Sequence, residues 1–301
     1  MVSLRGLGCT GACLMYLLSK KRVDYALCFH SFFTFAYDEA RADTIGGCLR
    51  AFHDNIEEEI SKIFGIRFIS ADYSGIDGLK KLIENQGPIM VELSCNNFEW
   101  IPRYNITNDH VIVIESIKDD IATVVDPTYS DKVQKIYANN LKITKMHYMN
   151  TPKTLVKPDK LYALILSYNK ILQYNVDLQF EIFKEKVSLA ESIAAEYSSN
   201  VSGGAWVSDL DSMVGYIISG SRYLYTCFIE NYVGGETFLM FANEMRELET
   251  AWKNLKNNFL KCVLWGETKI MRERIIQKID AVWLKEKKCL IQAVEIIENA
   301  M

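Results

Sequence analysis

Gly6-Leu7-Gly8-Cys9-Thr10-Gly11-Ala12-Cys13-Leu14-Met15-Tyr16-Leu17-Leu18 decides how this chain is read. Glycines lead into an apolar run, which reads as a buried helix with Cys9 at its start. A thiol there feels the positive end of the helix dipole, which favours thiolate. Two later stretches complete the pattern: Asp109-His110-Val111-Ile112-Val113-Ile114-Glu115 and Ile121-Ala122-Thr123-Val124-Val125-Asp126-Pro127. Each reads as a strand, and Lys118-Asp119-Asp120 between them reads as a hairpin turn. The hairpin sets Asp126 beside His110. A thiol, an imidazole and a carboxylate in that order make a nucleophile, a general base and acid, and an orienting group. The bland readings of the same three are a small buried residue, a structural histidine and a turn aspartate.

Rival residues fit less well. Cys13 lies one turn inside the helix, where the dipole effect fades, and reads as core packing. Asp109 neighbours His110 but points the other way in a strand. His30 and His53 lie in a less regular region, and His147 lacks a strand context. Gly6, Gly8 and Gly11 allow close backbone approach to a substrate.

Elsewhere the first half alternates short apolar runs with turns. Asn55 to Gly65 reads as a helix, Ile66 to Ser70 as a strand and Gly75 to Asn85 as a helix. A Gly87-Pro88 turn precedes an Ile89 to Leu93 strand, and Leu161 to Ser167 reads as another strand. Beyond residue 168 the strand pattern gives way to helices over Lys170–Ser199, Ala205–Tyr232, Glu236–Cys262 and from Gly266 to about Asn299. Four helices joined at glycine-containing breaks suggest an up-and-down bundle. The expected organisation is a catalytic domain over 1–168 and a helical, substrate-enclosing domain over 169–301.

The order of Cys9, the Gly-Pro turn before an apolar strand, His110 and Asp126-Pro127 resembles the C39 peptidase branch of the papain fold. It resembles more the butirosin-type (BtrH-like) acyltransferases, over less than half of the chain. That resemblance implies an α+β, papain-like cysteine protease fold with an appended C-terminal helical bundle. It also implies Cys9, His110 and Asp126 as the catalytic triad. Papain-like peptidases place a Gln six residues before the Cys as an oxyanion donor; here that position is Ser3. The family's acyl pocket borders the segment from His30 to Tyr37, which makes Phe33 and Tyr37 candidate substrate contacts. Tyr216 and Tyr223, seven residues apart on one helix face, are further candidates, with Trp206 and Tyr225 beside them.

Bulk properties narrow the class. The chain has 301 residues, 49% of them apolar, and a net charge of −4 with both signs interspersed. No basic block suggests a nucleic-acid surface. Lys20-Lys21-Arg22 is the one early basic patch for an acidic carrier protein, and equally a solvated helix end. No signal peptide is visible and no run reaches membrane-span length, so a cytoplasmic protein without a membrane partner is expected. The eight cysteines show no C-x-x-C spacing, so they read as reduced thiols rather than zinc ligands. No cofactor or metal is expected.

A thiolate with a histidine base performs acyl transfer, ending in hydrolysis or in capture by an amine. The resemblance points to an acyltransferase that moves an acyl or peptidyl group from a carrier-protein thioester to a small amine. Such amide synthases belong to antibiotic and other natural-product assembly. One variant is a protease homologue that builds nonribosomal peptide amides in closthioamide-type pathways, with a small diamine as acceptor. The alternatives are a cysteine peptidase acting on a leader or small peptide, and a non-catalytic binding module on the same fold.

Overall fold

A computed structural model describes residues 6–40, 42–51, 56–94, 98–100, 110–152, 159–197 and 209–301. Helix α1 (Cys9–Lys20) begins at an extended Gly8 and buries every residue from Gly11 to Leu18. A helix apolar on all sides belongs in a core, and each fully buried Leu there contributes about 1.5–3 kcal/mol. Its exposed end is tied to the sheet, where Tyr16 donates to Glu115 at 2.6 Å and Lys20 pairs with the same carboxylate.

After α1 come a buried 3-10 segment (Tyr25–Ser31), β1 (Phe35–Tyr37), α2 (Ile45–Cys48), β2 (Leu49–Ala51), α3 (Ile56–Phe64), β3 (Arg67–Asp72) and α4 (Ile76–Gln86). Then follow β4 (Ile89–Leu93), β5 (His110–Lys118), β6 (Ile121–Asp126), β7 (Ser130–Tyr137) and β8 (Ile143–Asn150). Six strands form one antiparallel sheet in the order β3-β8-β4-β5-β6-β7, and β1 pairs with β2 separately. Alternation along β5 sends Val111 and Val113 to the α1 side, and Ile112 and Ile114 to a second cluster that includes Leu79 and Ile83 of α4. Both faces are covered, which is why the strand reads as continuous apolar sequence. The hairpin turn holds Asp119 and Asp120 at φ 46° and 61°. Two consecutive positive φ values suit the right-handed twist of the flanking strands.

The C-terminal region is helical: α5 (Lys160–Gln173), α6 (Val176–Leu189), α7 (Asp209–Ser212), a π-helical turn (Met213–Ile218), α8 (Ser219–Glu230), α9 (Gly235–Trp265) and α10 (Lys269–Ala300). Three expectations are corrected here. Leu161–Ser167 is not a strand but the first half of α5, capped by Asp159 accepting from the Tyr162 N–H. A short apolar run does not distinguish strand from buried helix. The long helix expected from Lys170 breaks at Tyr174, where Asn175 caps α6 through the Leu178 N–H. Strands β7 and β8 went unread because they carry Lys132, Lys135, Lys145 and His147 among their apolar residues. His147 therefore does have a strand context.

One continuous apolar cluster runs from Leu7 and α1 through the 3-10 segment to α8, α9 and α10. Within it, Arg222 and Glu286 are both fully buried. Arg222 Nε and Nη2 donate to Glu286 Oε1 at 2.9 and 2.5 Å, and Trp252 Nε1 donates to the same oxygen at 2.7 Å. Burial pushes the Glu286 carboxyl up, while Arg222 pulls it back. Packing elsewhere is tight enough to demand glycine: a Cβ on Gly46 of α2 would lie 1.9 Å from the Leu210 nitrogen of α7. Among the described residues no helix is long and apolar enough to cross a membrane.

Candidate active site

The hairpin of β5 and β6 does what its sequence implies. Its pairing brings Val113 opposite Val125, with an irregularity between Ile114 and Ser116, and so carries Asp126 to the His110 end. His110 Nε2 meets Asp126 Oδ2 at 2.8 Å. Asp126 is fully buried, and every neighbour fixes its orientation. Trp100 Nε1 donates to Oδ2 at 2.9 Å, and the Thr128 and Tyr129 N–H groups donate to Oδ1 at 3.1 and 3.3 Å. The Tyr129 ring lies 5.3 Å from the imidazole. Neither Trp100 nor Tyr129 is marked in the sequence, because single aromatics in loops carry no periodic signal. The Asp126-Pro127-Thr128-Tyr129 turn was the only cue.

The imidazole is committed through Nε2 to Asp126, and the Cys9 side chain hydrogen-bonds the same ring. Burial alone would raise the Cys9 thiol. The hydrogen bond and charge of His110, with backbone contacts from Val111 and Thr10, outweigh it and bring the thiol below its ordinary value. The reverse holds for His110, where burial works downward but Asp126 and Cys9 push the imidazole up to about 9. Both shifts run in the direction that favours a thiolate–imidazolium pair. Cys13 is held apart from this chemistry. It is fully buried, donates to the Val111 carbonyl at 3.4 Å, and burial raises its thiol well above the usual range.

Approach to Cys9 is shaped by two features. Gly8 is exposed, and a Cβ there would meet nothing within 4 Å. On the other side, Tyr216 of the π-helical turn donates its hydroxyl to the Leu7 carbonyl at 3.3 Å. Gly6, at φ +89°, lies so close to α8 that a Cβ would sit 2.5 Å from the Gly220 carbonyl carbon. The helical region thus touches the segment that leads into Cys9.

The remaining candidates scatter. Phe33 is fully buried, its ring 5.0 Å from Tyr225 and beneath the Arg222 guanidinium, so it packs the core rather than facing a pocket. Tyr37 sits on β1, its N–H donating to Gln179 at 2.7 Å and its ring near Phe183, with no contact tying it to Cys9. Tyr223 is partly buried against the main core cluster. Ser3 and Trp206 lie outside the described residues, as do Asp109 and His53. A second hydrogen-bonded histidine occupies the sheet, with Ser70 Oγ 2.9 Å from His147 Nδ1 and Glu92 Oε1 2.7 Å from its Nε2. These three side chains link β3, β8 and β4, Ser70 opposite His147 and Glu92 diagonal to it. Among the described residues no group of three or more His, Cys, Asp or Glu is placed to hold a metal ion.

No protein-family model matches the chain, and no curated protein matches it.

Proposed function

We propose that the protein is a cysteine-dependent acyltransferase of papain-like, C39-like descent that forms amide bonds. Its donor is an acyl or peptidyl group on a carrier-protein thioester and its acceptor a small amine, in cytoplasmic natural-product assembly. One observation carries the reading: His110 is hydrogen-bonded through Nε2 to buried Asp126 and interacts as well with the Cys9 side chain.

The chemistry follows from those positions. Cys9 Sγ attacks the thioester carbonyl carbon, and the carbonyl electron pair moves to oxygen. Collapse of that tetrahedral species breaks the bond to the carrier sulfur, which leaves with the proton from His110. The acyl group now rests on Cys9. The acceptor nitrogen attacks the same carbon, neutral His110 takes its proton, and the thiolate departs to leave an amide. Asp126 keeps the imidazole oriented and stabilises its cationic form.

Transfer is favoured over hydrolysis by the contact of Tyr216 and Gly220 with the chain before Cys9. A helical wall there limits the water that reaches an acyl-enzyme. The test is incubation with an acylated carrier protein, followed by intact mass and peptide mapping. The acyl mass is expected on Cys9, with amide product once an amine is added. Acyl mass on Cys13, or turnover without any acyl-enzyme, would overturn the assignment. Cleavage of a leader peptide with no transfer would make the protein a peptidase instead.

A further inference from the structure

Attack on an acyl carbon places a full negative charge on the carbonyl oxygen, and that charge needs donors aimed at it. One is at hand. The first N–H groups of a helix have no intrahelical acceptor, and Cys9 is the first residue of α1. A lone backbone donor is half of the usual set. Among the described residues, the Trp100 indole is spent on Asp126 and the Thr10 backbone faces the Cys9 sulfur. The Tyr216 hydroxyl is different. Its acceptor is the Leu7 carbonyl, two residues before the nucleophile, at a long 3.3 Å. Tyr216 remains 39% exposed, so it is not locked into the packed core.

The backbone beneath it is unusual as well. Met213–Ile218 is π-helical between two α-helical stretches. Such wide turns often mark functional sites. Gly215 within it packs against the Lys256 stem, where a Cβ would come within 2.6 Å of Cγ. The turn is thus pinned from behind while Tyr216 projects toward the Cys9 loop.

We propose that Tyr216 is the second oxyanion donor, its phenolic O–H turning from the Leu7 carbonyl to the oxygen of the tetrahedral species while the Cys9 N–H supplies the first bond. The inference rests on the acyl-transfer reading of Cys9. Partial burial raises the Tyr216 phenol, which keeps its proton in place at neutral pH. An anionic oxygen is a better acceptor than a distant peptide carbonyl, so the exchange of partners is downhill. In the ground state the hydroxyl is satisfied by Leu7. In the transition state it is satisfied more strongly, which is the condition for catalysis rather than binding.

The experiment compares two reactions of the same sulfur in the full-length protein. Iodoacetamide alkylates Cys9 by displacement at a saturated carbon, and no oxyanion forms. A benzoyl thioester of N-acetylcysteamine acylates it through a tetrahedral oxyanion. Tyr216→Phe should slow acylation by a factor on the order of 10²–10³, the usual cost of one such donor. Alkylation and melting temperature should stay near those of the unaltered protein. Acylation within threefold of that protein overturns the proposal, as do equal losses in both reactions, which would mean a role in Cys9 reactivity or folding. A chain that is alkylated at Cys9 but never acylated, even with Tyr216 present, removes the acyl-transfer reading and this role together.

Discussion

Gly6 and Gly220 meet backbone to backbone, with space for no side chain between them. The contact joins the segment that delivers Cys9 to the helix that carries Arg222. Gly6→Ala adds a Cβ both to a positive-φ position and to that gap. The backbone conformation alone costs about 1–2 kcal/mol, and the clash adds to it. A lowered melting temperature together with slower alkylation of Cys9 is expected. An unchanged melt would mean that the two segments separate freely.

The pH dependence follows from the two shifts at the site. His110 is raised to about 9 and Cys9 is lowered, so the reactive ion pair exists between those limits. Alkylation of Cys9 should rise at a pH below the ordinary thiol value. Acyl transfer should fall on the alkaline side near pH 9, as His110 loses the proton that the leaving thiol needs. The stability contribution has the matching sign. A raised imidazole stabilises the fold fully below its unfolded value, and the contribution disappears as pH climbs through about 9. A rate profile still rising past pH 10 would contradict the assignment.

Asp126 is bonded by three partners besides His110, so removing its charge and removing its supports are separable changes. Asp126→Asn leaves the volume unchanged but presents an amide to an imidazole that needs an acceptor. A loss on the order of 10²–10⁴ in turnover is expected, as for the loss of general acid–base catalysis. Trp100→Phe deletes one hydrogen bond to Oδ2 and should cost less, about tenfold or below. If Trp100→Phe proves the more damaging, the indole has a direct role with substrate.

The Arg222–Glu286 pair makes a thermodynamic prediction. Arg222→Met leaves Glu286 buried without its counter-charge, held only by the Trp252 indole among the described partners, and should destabilise by about 3–5 kcal/mol. Adding Glu286→Leu to it should recover most of that loss, since a packed apolar pair often equals a buried ion pair. Denaturant melts of the two single variants and the double variant check it. Strict additivity of the single losses would show that the groups are not coupled.

Much of the site was readable because it sits on elements whose signals are local. The α1 start, the β5–β6 hairpin and its double-Asp turn each carry their evidence within a few residues. Asp126 followed from strand pairing alone. What could not be read was set by distant packing. Nothing in Leu161–Ser167 says helix rather than strand until α5 is seen against the 3-10 segment and α10. Tyr216 was singled out for its spacing from Tyr223, yet what distinguishes it is a wide turn that shifts it out of α-helical phase. Phe33 looked like a pocket residue because an aromatic run is the same in sequence whether it lines a cleft or fills a core. β7 and β8 hid behind their lysines.

The π-helical turn also settles a problem of phase. On one side of it, Leu210 must sit against Gly46; on the other, Gly220 must sit against Gly6. Ten residues separate those two contacts, and an unbroken α-helix advances by about 100° at each step, which leaves no freedom in where the second face points. The wide turn holds more residues per turn than an α-helix and so absorbs about one residue's worth of that rotation. It acts as a vernier between two docking faces on one continuous rod, so the aim of Tyr216 depends on backbone length as much as on side-chain identity. Deleting Val214 or Ile217 is expected to restore a regular α-helix with both docking faces kept, and to change the aim of Tyr216 alone.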